Sequence, residues 1–131
     1  MTEHPNAASA RAALEAFARS DVATLADSLS DDVVWHAPGT SRFSGKFEGR
    51  AAVMDRFARM TQAGVRTTLD IHDVVANDEH VVALVHVRVQ NAAGRSYEGP
   101  QVQVMHVRDG RAFEFWGMNQ DQAAFDLILD S

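Results

Sequence analysis

His36 is the side chain in this sequence best suited to moving a proton. It closes the apolar run Val33-Val34-Trp35 and stands directly before Ala37-Pro38-Gly39. An imidazole at a strand end beside a loop suits general acid–base chemistry near pH 7, with a loop Asp or Glu to orient it. The competing reading is structural, a hydrogen bond that holds the corner. Gln101 and Gln103 sit two apart on one strand pattern, and buried amides without partners cost about 1–3 kcal/mol each. They either grip a ligand's carbonyl or hydroxyl, or satisfy each other, Asn119 or a water. Glu114 and Trp116 share a strand face, so Glu114 is either a buried acid or part of an interface.

Other chemistries are excluded by what the chain lacks. It has no cysteine, which removes thiolate nucleophiles, disulfides and Cys-ligated zinc. His72, His86 and His106 fall on three different strand patterns with no HxH or HxxxH pair, so no metal is expected. Lys46 is the only lysine, leaving one loop residue for Schiff-base chemistry. Neither a phosphate loop nor a nucleophile elbow is present. A net charge of -6 argues against nucleic acid and anionic membrane, which require clustered cations. No apolar stretch reaches membrane-span length and residues 1–20 lack a signal-peptide core, so a soluble, cytoplasmic protein is expected.

The elements that must position these residues are legible from periodicity. In 131 residues with 46% hydrophobic composition there is room for one core, hence one domain over residues 1–131. Asn6 is placed to cap a helix over Ala7–Arg19, and Asp21 a short helix over Val22–Leu29. A strand over Asp31–Ala37 leads through a Gly-spaced loop into a helix over Ala51–Gln62, with Val53, Phe57 and Met60 on one face and Gly64 as its stop. Period-two patterns then predict strands at 67–76, 79–90, 95–108 and 111–119, and Asp121 caps a last helix. Helices first and a meander afterwards means α+β, a curved antiparallel sheet wrapped around N-terminal helices. At Asp109-Gly110 two registers are open. A tight two-residue turn pairs Arg108 with Arg111 and sets Glu114 and Trp116 beside Gln103. A bulged three-residue turn sets Phe113, Phe115 and Gly117 there instead.

Helix, helix, VVWHAPG, looped SGKFEGR, helix, then a meander ending GPQVQVMHVRDGRAFEFWGMNQDQ is a pattern that resembles the NTF2-like superfamily. Within it the chain is most similar to SnoaL-like polyketide cyclases, with ketosteroid isomerase more distant. The resemblance covers roughly residues 7–129 and implies a cone around an apolar pocket, with a dimer across the outer sheet face. Residue by residue it transfers little chemistry. The isomerase base falls at Ala37, its oxyanion tyrosine near Ala13 and its protonated Asp at Gln103. The cyclase histidine also falls at Gln103, and its Asp base at Gly117.

The expected activity is therefore cofactor-free proton transfer on an apolar cyclic or polyketide-like substrate: cyclisation, isomerisation or hydration. Trp35, Phe43, Phe57, Val85, Val87, Met105 and Phe115 would wall the pocket. Gln101, Gln103 and Asn119 would orient the substrate, and His36 would carry the proton. The alternative is a binding module without chemistry. A homodimer through Val102, Val104, His86, His106 and Trp116 is expected in either case.

Overall fold

Proline at its first turn fixes where the first helix starts. In the structure, a computed structural model that describes residues 3–131, α1 runs Pro5–Ala18, and His4 rather than Asn6 caps it by accepting the Asn6 N–H. Asn6 lies inside the helix, where its Nδ2 donates to the carbonyls of Asn77 and Asp78. Asp21 caps α2, Val22–Asp27, through the Thr24 N–H. That helix stops short of Leu29, because Leu29 already belongs to strand β1, Leu29–Ala37.

The loop after β1 holds an element that was not expected. Gly45–Glu48 forms a short strand, β2, antiparallel to β1, with Phe47 opposite Trp35. Helix α3, Arg50–Gln62, follows at once. The four predicted strands are β3 (Arg66–Ala76), β4 (His80–Gln90), β5 (Ser96–Arg108) and β6 (Arg111–Asn119), and α4 (Gln122–Asp130) closes the chain behind its Asp121 cap.

The sheet order is β2-β1-β6-β5-β4-β3. The meander pairs antiparallel, but β1 lies parallel to β6, with Trp35 opposite Phe115. Both proposed forms of the last hairpin are partly realised. Asp109 and Gly110 have φ of 55° and 75°, the signature of the tight turn, and Arg108 does pair with Arg111. Phe113 then adds an extra residue, since Val107 faces Ala112 while His106 faces Glu114. Beyond that bulge Gln103 faces Gly117 and Met105 faces Phe115, so Glu114 and Trp116 turn to the other face.

Alternation sorts β4 cleanly. Val81, Val85, Val87 and Val89 are all at most 4% exposed on the inner face, each contributing about 1.5–3 kcal/mol by leaving water. α1 packs over β3 and β4, and α3 over β1 and β2. The buried residues form two apolar clusters. One lies around Leu14, Val33, Val53, Met105 and Phe115, the other around Phe43, Met60, Val87, Phe125 and Leu129. Among the described residues no helix is long and apolar enough to cross a membrane.

Candidate functional site

Where the two clusters meet, the packing is incomplete. Side chains from both wall a cavity of about 150 Å³ between the inner sheet face and helices α1, α3 and α4, the size of an apolar cavity that takes one benzene ring. Its floor is aromatic. The rings of Trp35 and Phe115 stack with centroids 3.6 Å apart and 13° between planes. Phe57 from α3 meets Trp35 edge-on at 5.2 Å. Val87 and Met105 add apolar wall, and Gln101, Gln103 and Asn119 supply amides.

Two residues read as wall do not reach the space. Phe43 and Val85 are buried, but they fill the two clusters rather than line the cavity. His36 stands on the opposite face of the sheet. Trp35 turns inward, so its neighbour turns outward, stacks on Trp116 at 5.0 Å and bonds Glu114 Oε2 through Nε2 at 2.8 Å. The same Glu114 offers Oε1 to His106 Nδ1 at 3.4 Å. None of these half-buried side chains lines the cavity. Among the described residues no group of three or more His, Cys, Asp or Glu side chains is arranged to hold a metal.

The amides form a directed relay. Gln103 Nε2 donates to Gln101 Oε1 at 2.8 Å, and Gln101 Nε2 to Asn119 Oδ1 at 2.9 Å. Asn119 Nδ2 donates to Gln122 Oε1 at 3.0 Å, and Gln122 Nε2 to Asp126 Oδ1 at 2.9 Å. Thr40 N donates to the other oxygen, Asp126 Oδ2, at 2.8 Å. A carboxylate only accepts, so it fixes which end of each amide points where, back to the cavity. Gln103 lies at the free end, with Oε1 taking no donor among the described residues.

Among the residues that line the cavity, one is ionisable, and it was not foreseen. Arg56 is 7% exposed, and its Nε donates to the Phe43 carbonyl at 2.8 Å. Burial, with the neighbouring Arg59 charge behind it, pushes its pKa down to about 10. No carboxylate lies within ion-pairing distance of it among the described residues. Its guanidinium carbon lies 5.5 Å from the Phe47 ring centre and 5.9 Å from that of Phe57, near the outer limit of cation–π attraction.

Residues 10–115 match the family model described as the SnoaL-like domain. The chain belongs to the SnoaL-like family. Solved structures that resemble this SnoaL-like protein cover nearly all of it. An NTF2-like protein of unknown function from Burkholderia pseudomallei has a TM-score of 0.87 at 24% identity, over 98% of this chain and 99% of that one. TerC, crystallised with polyporic acid, gives 0.85 at 21% identity, over 98% and 100%. A candidate polyketide cyclase from Xanthomonas campestris gives 0.75 at 26% identity, over 95% and 96%. No curated protein matches the chain.

Signals for the missed SnoaL-like residues were present in helical spacing. Arg56 occupies the i+3 position of the Val53, Phe57, Met60 stripe, a charge on an otherwise apolar face. Gln122 and Asp126 stand at i and i+4 on α4, with Asp126 beside buried Phe125.

Proposed function

We propose that this SnoaL-like protein is a cytoplasmic homodimer that binds a small molecule with an apolar ring in the cavity. The observation that carries the reading is the character of the wall: aromatic floor, amide edge, and Arg56 as its one ionisable group, with no carboxylate or imidazole among the lining residues. Such a wall can hold and orient a ligand, yet it offers no general base. The dimer reading is supported by the outer sheet face, where Val102, Val104, His106 and Trp116 are only half-buried within one chain.

The two tryptophans give an internal control, because Trp35 floors the cavity and Trp116 lies on the outer face. Adding neutral p-cresol should move the indole resonance of Trp35 and leave that of Trp116 in place. A shift at Trp116 alone, or none, rejects the cavity as the binding site.

A second reading draws support from the Xanthomonas neighbour named as a polyketide cyclase candidate. It is cofactor-free cyclisation, isomerisation or hydration of a polyketide-like substrate, with Arg56 stabilising a developing enolate oxygen. The base would then have to come from the substrate itself, since His36 faces away. Turnover by the wild type that is lost in Arg56→Gln supports this reading. Recovery of every bound compound unchanged supports the binding module.

A further inference from the structure

We infer that the ligand is an organic acid: a ring compound that gives an anionic oxygen to the Arg56 guanidinium and a hydroxyl proton to Gln103 Oε1. The inference rests on the cavity-binding reading and adds the charge and polarity of what is bound.

Buried arginines are ordinarily paired with carboxylates. Arg56 is not. It uses one of its three nitrogens, Nε, on the Phe43 carbonyl, and the two terminal nitrogens have no partner among the described residues. Neither is sealed in the protein, since among the described residues no buried side-chain nitrogen or oxygen is left without a hydrogen bond. Arg56 lines the cavity, so its open fork is available from that side. The charge that acts on it is another cation, Arg59, itself bonded to Asp55 at 2.9 Å. A planar fork with two free N–H edges matches a carboxylate, and such a pair is strongest in a water-poor site. A purely structural Arg56 would need only the bond to Phe43. A methionine or leucine could fill the same volume without burying a charge.

The amide relay supplies the second half. Asp126 accepts from Thr40 N and from Gln122, and that sets each amide in turn so that Gln103 ends with its oxygen free. At the cavity, Gln103 therefore accepts. Ring hydroxyls donate well to an amide oxygen, whereas a bare ring or a halogen leaves that oxygen unmet. A donor fork from α3, an acceptor oxygen from β5 and a stacked aromatic floor beside them describe a hydroxy-substituted aromatic acid of about one ring.

The test is calorimetric titration of the wild type with the three hydroxybenzoates, each against its neutral amide, hydroxybenzamide, which has nearly the same shape. The best-bound acid should exceed its amide by about 10–100-fold, the range of a charge-assisted hydrogen bond. Replacing its hydroxyl by fluorine should lose about tenfold or less. In Arg56→Gln the acid and amide should bind alike, and Arg56→Lys should restore part of the preference. Each variant is first checked for native circular dichroism, and the wild-type comparison decides the matter even if neither variant folds. If amide and acid bind equally to the wild type, the anion inference is overturned while the cavity-binding reading stands. If no member of the panel, charged or neutral, moves the Trp35 indole resonance, the cavity-binding reading itself fails.

Discussion

Replacing Arg56 by Met should leave the free protein at least as stable as it is now. Burial with the Arg59 charge pushes the Arg56 pKa down from the ordinary arginine value to about 10, and at about 1.4 kcal/mol for each step of one in pKa this disfavours the folded cation by about 3 kcal/mol. Met keeps most of the aliphatic stem and its packing. What is lost is the bond from Nε to the Phe43 carbonyl, about 1–3 kcal/mol once that oxygen is left without its donor. The two contributions oppose each other, so the net change should lie between no effect and a gain of about 2 kcal/mol. The pH dependence has a definite sign. The folded pKa lies below the unfolded one, so the unfolded state holds more protons from about pH 10 up to the ordinary arginine range. Wild-type stability therefore rises through that window as the buried charge is relieved, and the variant lacks this rise. Urea denaturation of both proteins at pH 7, and again at pH 10 to 10.5, measures each effect. A loss of 3 kcal/mol or more in Arg56→Met at pH 7 would refute the argument, because the arginine would then be a structural anchor and not a ligand-seeking charge.

Gln103→Leu should destabilise by about 1–2 kcal/mol in thermal or urea unfolding, since Gln101 Oε1 loses its donor. An unchanged stability would show that Gln101 finds another partner and that the relay does not act as a unit. Gly39→Ala should destabilise by several-fold more than Gly117→Ala. Gly39 has φ of 88° and a side chain there would overlap the Asp126 carboxylate, whereas a methyl on Gly117 meets Phe115 only at 3.6 Å. Equal effects in chemical denaturation would show that Asp126 is free to move away. Val104→Glu on the outer face should convert dimer to monomer in sedimentation velocity at micromolar concentration, with the Trp35 response to p-cresol kept. A wild type that already sediments as a monomer would overturn the dimer.

How much of this was legible in the sequence depended on how local the cause was. The strand and helix spans of the meander and of α3 follow from alternation, turn residues and caps, all of which act within a few positions. The outward placement of His36 was implicit in its alternation with Trp35 and Ala37. The strand Gly45–Glu48 was missed because four residues bracketed by glycines carry no period. It exists because β1 offers an unpaired edge. The hairpin at Asp109-Gly110 was left open between two registers, and the chain uses the turn of one and the facing of the other, with the bulge displaced to Phe113. Phe43 and Val85 were read as pocket wall because both are apolar and inward, but inward residues first fill the core, and only incomplete packing leaves a cavity. Arg56 and Asp126 were passed over as ordinary helix surface. Helical spacing marked each as a polar residue on an apolar stripe, but the partners that fix them, the Phe43 carbonyl and the Thr40 N–H, lie far off in sequence.

The parallel pairing of β1 with β6 has a consequence for how the molecule is made. β1 leaves the ribosome before β6, and apart from the short β2 its strand partner is Arg111–Asn119, which follows only after α3 and the rest of the meander. Until then the edge that carries Trp35 has open backbone donors and acceptors, and the ring has no Phe115 to stack on. Cavity floor and sheet continuity therefore form together, in one step once β6 is free. Chains halted in translation before Arg111 should expose that edge, and an unpaired strand with an aromatic beside it is a surface on which nascent chains associate.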